Sequence, residues 1–389
     1  MTTLIRGIGE LFTNDPQWGD RFGIIRDAAV EESDGIITWV GLDSEADTRE
    51  LTADEVIDAY GQAIIPAFVD SHTHIAFAGD RAAEFEARMR GEKYAAGGIR
   101  STVAATRAAE DDLLRANMTV SMEELAQHGT ATVEIKSGYG LDVETEARLC
   151  RLASEFTTEV TFLGAHVVPA EYVGREDEYV DLVCGPMLDA CAPFAKWIDV
   201  FCETGAFTVE QARRVLEAGI ARGLSPRIHA SQLAAGGGVA LAVELGAASV
   251  DHGTYLTETD IELLAESDVV LTVLPGVEFS TRHPYPNARN LIDRGITVAI
   301  STDCNPGSSF TASMAFCIAL AVREMGMTPA EAVWAATAGG AAALRLTDVG
   351  VISVGNQALF TALSAPSHIH LAYRPGTHLT TPLFFSSTL

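Results

Sequence analysis

Short apolar runs and longer amphipathic stretches alternate along the central part of this chain. The runs are AIIPAFV (63–69), ATVEIKS (131–137), EVTFLGAH (159–166), WIDVFCE (197–203), SPRIHAS (225–231), ASVDHGT (248–254), VVLTVLP (269–275) and TVAISTD (297–303). Apolar, β-branched bodies of this length suit strands covered on both faces of a parallel sheet. The stretches between them, TVEQARRVLEAGIARG and TETDIELLAESD among them, open on a threonine that can cap a helix and then carry a helical period. Eight alternating units predict an α/β fold, a closed (β/α)8 TIM barrel. An open doubly wound sheet is the alternative that the pattern leaves.

The two ends of the chain read differently. LIRGIGELFT, DAAVEESDGIITWVG and VIDAYGQAI at the start, and GVISVGNQALFTAL at the end, have the look of short strands and turns. Both ends are expected to build one small β-sandwich domain, from residues 1–65 and 348–389, beside a barrel over 66–347. The connection 75–130 is unusually long, and its segment GDRAAEFEARMRGEKYAAGGIRS is a candidate active-site cover.

Polar residues collect where the runs end: His72, His74, Tyr139, His166, Glu203, His229, His252 and Asp303. In a barrel all these ends open on one face, the face that carries active sites. Composition narrows the chemistry. With 53 Asp plus Glu against 26 Lys plus Arg, the net charge of −27 opposes nucleic acid and anionic membranes as partners. An anionic substrate would need local positive contacts. No apolar run approaches a membrane span, and the start MTTLIRGIGE has no secretory pattern, so a cytoplasmic enzyme is expected. The six cysteines contain no CxxC pair and are read as reduced thiols.

The sharpest motif is VDSHTH. Strand residues two apart face the same way, so His72 and His74 can converge on one ion, and imidazole suits zinc or iron. Read alone, the HxH pair could equally be two solvent-facing histidines. His229, ending RIHAS, and Asp303, ending AISTD, supply two further ligands and leave room for water. For Asp303 the competing reading is a helix cap. A bridging lysine for a second metal is not placed correctly, because Lys196 precedes the fourth run and Lys136 ends the second, so one ion per chain is expected. His166 and His252 face the same site and could bind substrate or move protons, with Asp251 available to orient His252.

The segments HTH, EIKSGYGL, TFLGAHVVPAEY, RIHASQ followed by GGG, VDHGTYL and STDCNPGSS together resemble the imidazolonepropionase family of metal-dependent amidohydrolases. The resemblance covers nearly the whole chain. It implies hydrolysis of 4-imidazolone-5-propanoate to N-formimidoyl-L-glutamate in histidine breakdown, with one Zn²⁺ or Fe³⁺ held by His72, His74, His229 and Asp303. It also implies that Arg81 clamps the substrate carboxylate, and that Tyr139, His166, Asn305, Gly307 and Ser308 make the remaining substrate contacts. A homodimer rests on the resemblance as well.

Two segments depart from the family. Some members carry HADE after the metal histidine, whereas this chain has HASQ, and Gln232 cannot act as a base. Gln232 can still hydrogen-bond the ring, and Asp303, slightly ahead of His252, is the expected catalytic base. GNQALF (355–360) replaces a common Gly-x-x-Ala-Asp turn, away from the chemistry. The rival readings are another mononuclear amidohydrolase, such as a nucleobase deaminase, and an inactive metal-binding homologue.

Overall fold

The computed structural model describes residues 1–91 and 98–385. Part of the expected cover segment, residues 92–97, therefore lies outside the described residues. Two compact units divide the chain: residues 1–71, 123–132 and 313–389, and residues 72–122 and 133–312.

The first unit is built around a seven-stranded sheet. Thr2–Phe12 pairs antiparallel with Ile24–Ser33, which pairs with Ile36–Leu42. Leu359–Leu363 from the far end of the chain joins the same sheet beside Ala63–Pro66. Alternation drives this assembly: Ile5, Ile8, Leu11, Val30, Ile64 and Phe360 share one buried cluster, while Leu4 and Ala29 pack on another. Strands from both ends of the chain share this sheet, and the unit that holds it also takes in residues 123–132 and 313–347. One detail of the reading is corrected. AIIPAFV is not a single barrel strand: Ala63–Pro66 belongs to the small sheet, and only Phe68–Asp70 leads into the HxH segment. Pro66, lacking an N–H, cannot carry a ladder further.

The second unit holds the parallel sheet of a (β/α)8 barrel. Ile135–Lys136, Val160–Ala165, Trp197–Cys202, Ile228–Ala230, Ser249–His252, Val270–Val273 and Val298–Ile300 pair in that order, each parallel to the next. The residues after the first strand close the ring, since Thr73 bridges Cys304 and its carbonyl accepts from Lys136 N–H at 3.0 Å. The capped helices appear as expected, with Thr208 and Gln211 forming a capping box before Val209–Ala221, and Thr257 and Asp260 doing the same before Glu258–Ala265. No helix among the described residues is long and apolar enough to cross a membrane. All six cysteines are free thiols, five of them buried.

Candidate active site

The histidines and Asp303 sit where barrel strands give way to their loops, and Arg81 opens the helix Ala82–Met89. At three of these exits a non-glycine residue is forced to positive φ: Ser231 (56°), His252 (83°) and Asp303 (50°). That conformation is costly for an L-residue, and it recurs where side chains must be aimed away from the strand direction. Here it turns His252 and Asp303 toward the barrel axis.

The imidazoles of His72, His74 and His229 meet there. His74 Nε2 lies 3.2 Å from His72 Nε2 and 3.3 Å from His229 Nε2, and Asp303 Oδ1 is 3.4 Å from both His72 Nε2 and His74 Nε2. His72, His74 and Asp303 offer ligand atoms close enough together for a shared cation, and His229 reaches that set through His74. Ligands held at about 2.0–2.1 Å around a tetrahedral ion stand roughly 3.3 Å apart. The protonation pattern agrees with that fit. His72 Nδ1 donates to Asp251 Oδ2 at 2.8 Å, which leaves the Nε2 lone pair facing inward. Burial holds the His72 and His74 rings well below the usual imidazole range, hence neutral and able to ligate.

Arg81, Tyr139, His166, Gln232, His252, Asp303, Asn305 and Ser308 line one pocket with His74 and His229. The residues expected as metal ligands, substrate contacts and catalytic groups are thus brought together, with His72 against His74 and Gly307 against Arg81, whereas Glu203 does not line this pocket. A Cβ on Gly307 would meet Arg81 Nη1 at 2.3 Å, so the bare backbone is what lets the guanidinium lie on the turn. Arg88 holds the same turn from behind, donating to the Gly307 carbonyl at 2.7 Å. Arg81 itself is buried, and Glu84 grips its side through Nε at 2.8 Å and Nη2 at 2.6 Å.

Several details differ from the sequence reading. Asp251 orients His72, not its neighbour His252, because adjacent strand residues point to opposite sides. The N–H groups of Gly307 and Ser308, two of the expected substrate contacts, both donate to Asn305 Oδ1, at 2.7 and 2.8 Å. Asn305 Nδ2 in turn donates to Asp303 Oδ2 at 2.8 Å, so Asn305 steadies the carboxylate. Gln232 presents its backbone N–H to Glu203, whose carboxyl is pushed up by burial. His166 donates from Nδ1 to the Gly138 carbonyl at 2.9 Å, and burial takes the ring down to about 4.

Sequence reasoning missed the layer behind the histidines. Asp199 Oδ2 lies 2.9 Å from His229 Nδ1, a charge contact rather than an aligned hydrogen bond. Lys136 sits 2.9 Å from Glu134 and 3.0 Å from Asp199, fully buried, and Arg227 lies 3.4 Å from Asp251. A signal was present, because charged residues interrupt otherwise apolar strand bodies at Lys136, Asp199, Arg227 and Asp251.

A carboxylate-backed cluster of histidines at the mouth of a (β/α)8 barrel defines a metal-dependent hydrolase of the amidohydrolase type. Residues 63–388 match the amidohydrolase family, and the chain belongs to it. Curated relatives called imidazolonepropionase include those of Salinispora tropica, 60% identical over 97% of this chain and 95% of the relative, and Streptomyces griseus, 58% identical over 99% and 98%. That of Mycolicibacterium smegmatis is 60% identical over 97% and 95%. Within the amidohydrolases the chain thus belongs to the imidazolonepropionase group, hydrolases of C–N bonds in cyclic amides. Among solved structures, a variant of the atrazine chlorohydrolase TrzN from Arthrobacter aurescens TC1, complexed with zinc and atraton, superposes with a TM-score of 0.73 at 16% identity. It covers 98% of this chain and 94% of that one. An adenosine deaminase from Xanthomonas campestris with bound zinc gives 0.67 at 18%, over 98% and 91%. Identities this low speak for the fold alone.

Proposed function

We propose that this enzyme opens the ring of 4-imidazolone-5-propanoate to N-formimidoyl-L-glutamate, with one Zn²⁺ or Fe³⁺ held by His72, His74, His229 and Asp303. The observation that carries the proposal is the meeting of His74, His229 and Asp303 with a buried arginine, Arg81, in a single pocket, His72 lying against His74. The donors suit a metal that catalyses hydrolysis, and the arginine suits a small substrate bearing a carboxylate. Such an ion, when bound, acidifies water and polarises a carbonyl.

The roles of the side chains follow from their hydrogen bonds. Arg81 takes the propanoate carboxylate, and Arg88, through Gly307, keeps the turn beneath it in place. His166 has its Nδ1–H committed to Gly138, so its Nε2 offers a lone pair; it accepts from a ring N–H and is a poor partner for an oxyanion. Tyr139 and Gln232 border the ring. Asp303 has one oxygen facing His72 and His74, and the other accepts from Asn305 and Ser308. His252 is less engaged, with its buried Nδ1 bearing no hydrogen bond. This favours His252 over Asp303 as the group that takes the proton from the attacking water. Hydroxide adds to the ring carbonyl, the C–N bond breaks, and His252 returns the proton to the departing ring nitrogen, leaving a carboxylate and a formimidoyl amine.

The same reading makes the enzyme a cytoplasmic homodimer. Incubation of the purified protein with imidazolone propanoate tests the proposal. Loss of the imidazolone chromophore with formation of N-formimidoylglutamate and no ammonia is the expected result. Release of ammonia, or no turnover with metal present, would overturn it.

A further inference from the structure

The layer beneath the histidines contains a lysine that hydrolysis does not call for. Lys136 lies in the EIKSGYGL segment, its side chain fully buried in the barrel. Its ammonium is 3.0 Å from Asp199 Oδ2, and that same oxygen lies 2.9 Å from His229 Nδ1. It is also 3.9 Å from Asp251 Oδ2, and that oxygen accepts from His72 Nδ1 at 2.8 Å. Two metal-facing rings are thus backed by two carboxylate oxygens that share one cation. Glu134 anchors the ammonium from a third side at 2.9 Å and also accepts from the Thr73 N–H, in the middle of the HxH segment.

We infer that Lys136 is a positioning residue whose ammonium fixes Asp199 and Asp251 behind His229 and His72 and thereby sets the affinity of the metal site. The inference rests on the proposed ligand set. Three buried carboxylates in this layer face only two buried cations, Lys136 and Arg227. Take Lys136 away, and Asp199 loses its closest cation while Glu134 and Asp251 remain as neighbours. Buried like charges repel, so Asp199 is driven from its position behind His229. That displacement releases His229 from its orientation. Partners that hold a ligand's outer nitrogen typically change metal affinity by about 10–100-fold when lost. The geometry adds a second consequence. Asp199, His229 and Asp251 are close enough together to hold an ion by distance alone. The ammonium already stands against both carboxylates, so a fixed cation occupies this layer and confines the exchangeable ion to the Nε2 side.

The test uses the full chain and zinc, with the dissociation constant read by competition with a chromophoric chelator. Lys136→Met should keep the far-ultraviolet circular dichroism of the wild type and bind zinc about 10–100-fold more weakly. Added to Asp199→Asn, it should weaken binding little further, because Lys136 acts through that carboxylate. A Lys136→Met constant within twofold of wild type overturns the inference whatever happens to Tm, and so does full additivity with Asp199→Asn. Should Lys136→Met not fold, Asp199→Asn and Asp251→Asn decide it. Weakened zinc binding in both supports the arrangement, and two unchanged constants overturn it. Failure of the ligand set itself looks different, since wild type would then bind zinc no better than His229→Ala.

Discussion

Replacing Arg81 with alanine separates substrate binding from every other property of the site. The side chain is 5% exposed, and its fork is gripped by Glu84 at 2.6 and 2.8 Å against the bare backbone of Gly307. Removing it leaves the Glu84 side chain, 27% exposed, free to rehydrate, so stability should change little. The substrate carboxylate loses a charge-assisted, buried pair of hydrogen bonds, about 1.5–3 kcal/mol. That corresponds to an increase of roughly ten- to a hundredfold in KM. Arg81 is not one of the proposed metal donors, so metal content should be unchanged and kcat should move by no more than a few-fold. Glu84→Gln should act in the opposite sense, because the neutral amide competes less well for the guanidinium than the carboxylate does. The assay is steady-state kinetics at saturating metal, with metal content and circular dichroism measured on the same preparations. An unchanged KM in Arg81→Ala removes Arg81 from the substrate site, and lost metal would mean that its role is to hold the fold of the mouth.

Metal analysis of the purified enzyme should give about one ion per chain, lost together with activity in His229→Ala; two tightly held ions would refute the mononuclear site. His252→Ala should lower kcat by about 10²–10⁴-fold if that ring carries the proton, whereas Gln232→Ala should cost only a neutral hydrogen bond, about 0.5–1.5 kcal/mol. A Gln232→Ala enzyme as inactive as one lacking a metal ligand would reverse these assignments. Burial lifts the Glu278 carboxyl from 4.5 to about 7 despite a hydrogen bond from Thr254. The folded chain therefore binds more protons than the unfolded one between those values, and stability falls as pH rises through that window. Glu278→Gln should then stabilise the protein by roughly 3 kcal/mol above pH 7 and by much less at pH 4.5; equal shifts in Tm at both pH values would refute this.

The fold was legible because its signals are local and repeated. Eight apolar runs with capped amphipathic stretches between them leave little besides a barrel, and strand ends marked by histidine or aspartate locate its working face. The boundary at Pro66 was harder to read, since AIIPAFV has one uniform hydrophobic character and only the proline hints that two sheets share it. The site divides in the same way. His72, His74, His229 and Asp303 could be named as the proposed ligands because ligand chemistry is written in residue type and spacing. Glu84, Arg88, Asp199 and Lys136 could not, because their importance lies in which oxygen faces which nitrogen across different strands. Asp251 shows the limit well: next to His252 in sequence, it serves His72, which lies 179 residues away.

The charge balance gains meaning from where the buried cations lie. A chain of net charge −27 repels an anionic substrate at long range, yet among the described residues four basic side chains, Arg81, Arg88, Lys136 and Arg227, are buried in the barrel unit. They form two pairs. Lys136 and Arg227 lie behind the histidines and compensate carboxylates that orient metal ligands. Arg81 and Arg88 lie at the Asn305–Ser308 turn, one gripping it and the other facing the pocket. Surface acidity is screened within about 8 Å at physiological salt, whereas a buried guanidinium acts through a medium of much lower dielectric. One arginine at contact therefore outweighs many distant carboxylates, and raising the ionic strength should weaken the repulsion more than the grip. The acidic exterior can then serve solubility while, on the role proposed for Arg81, recognition of the substrate rests on a single buried fork.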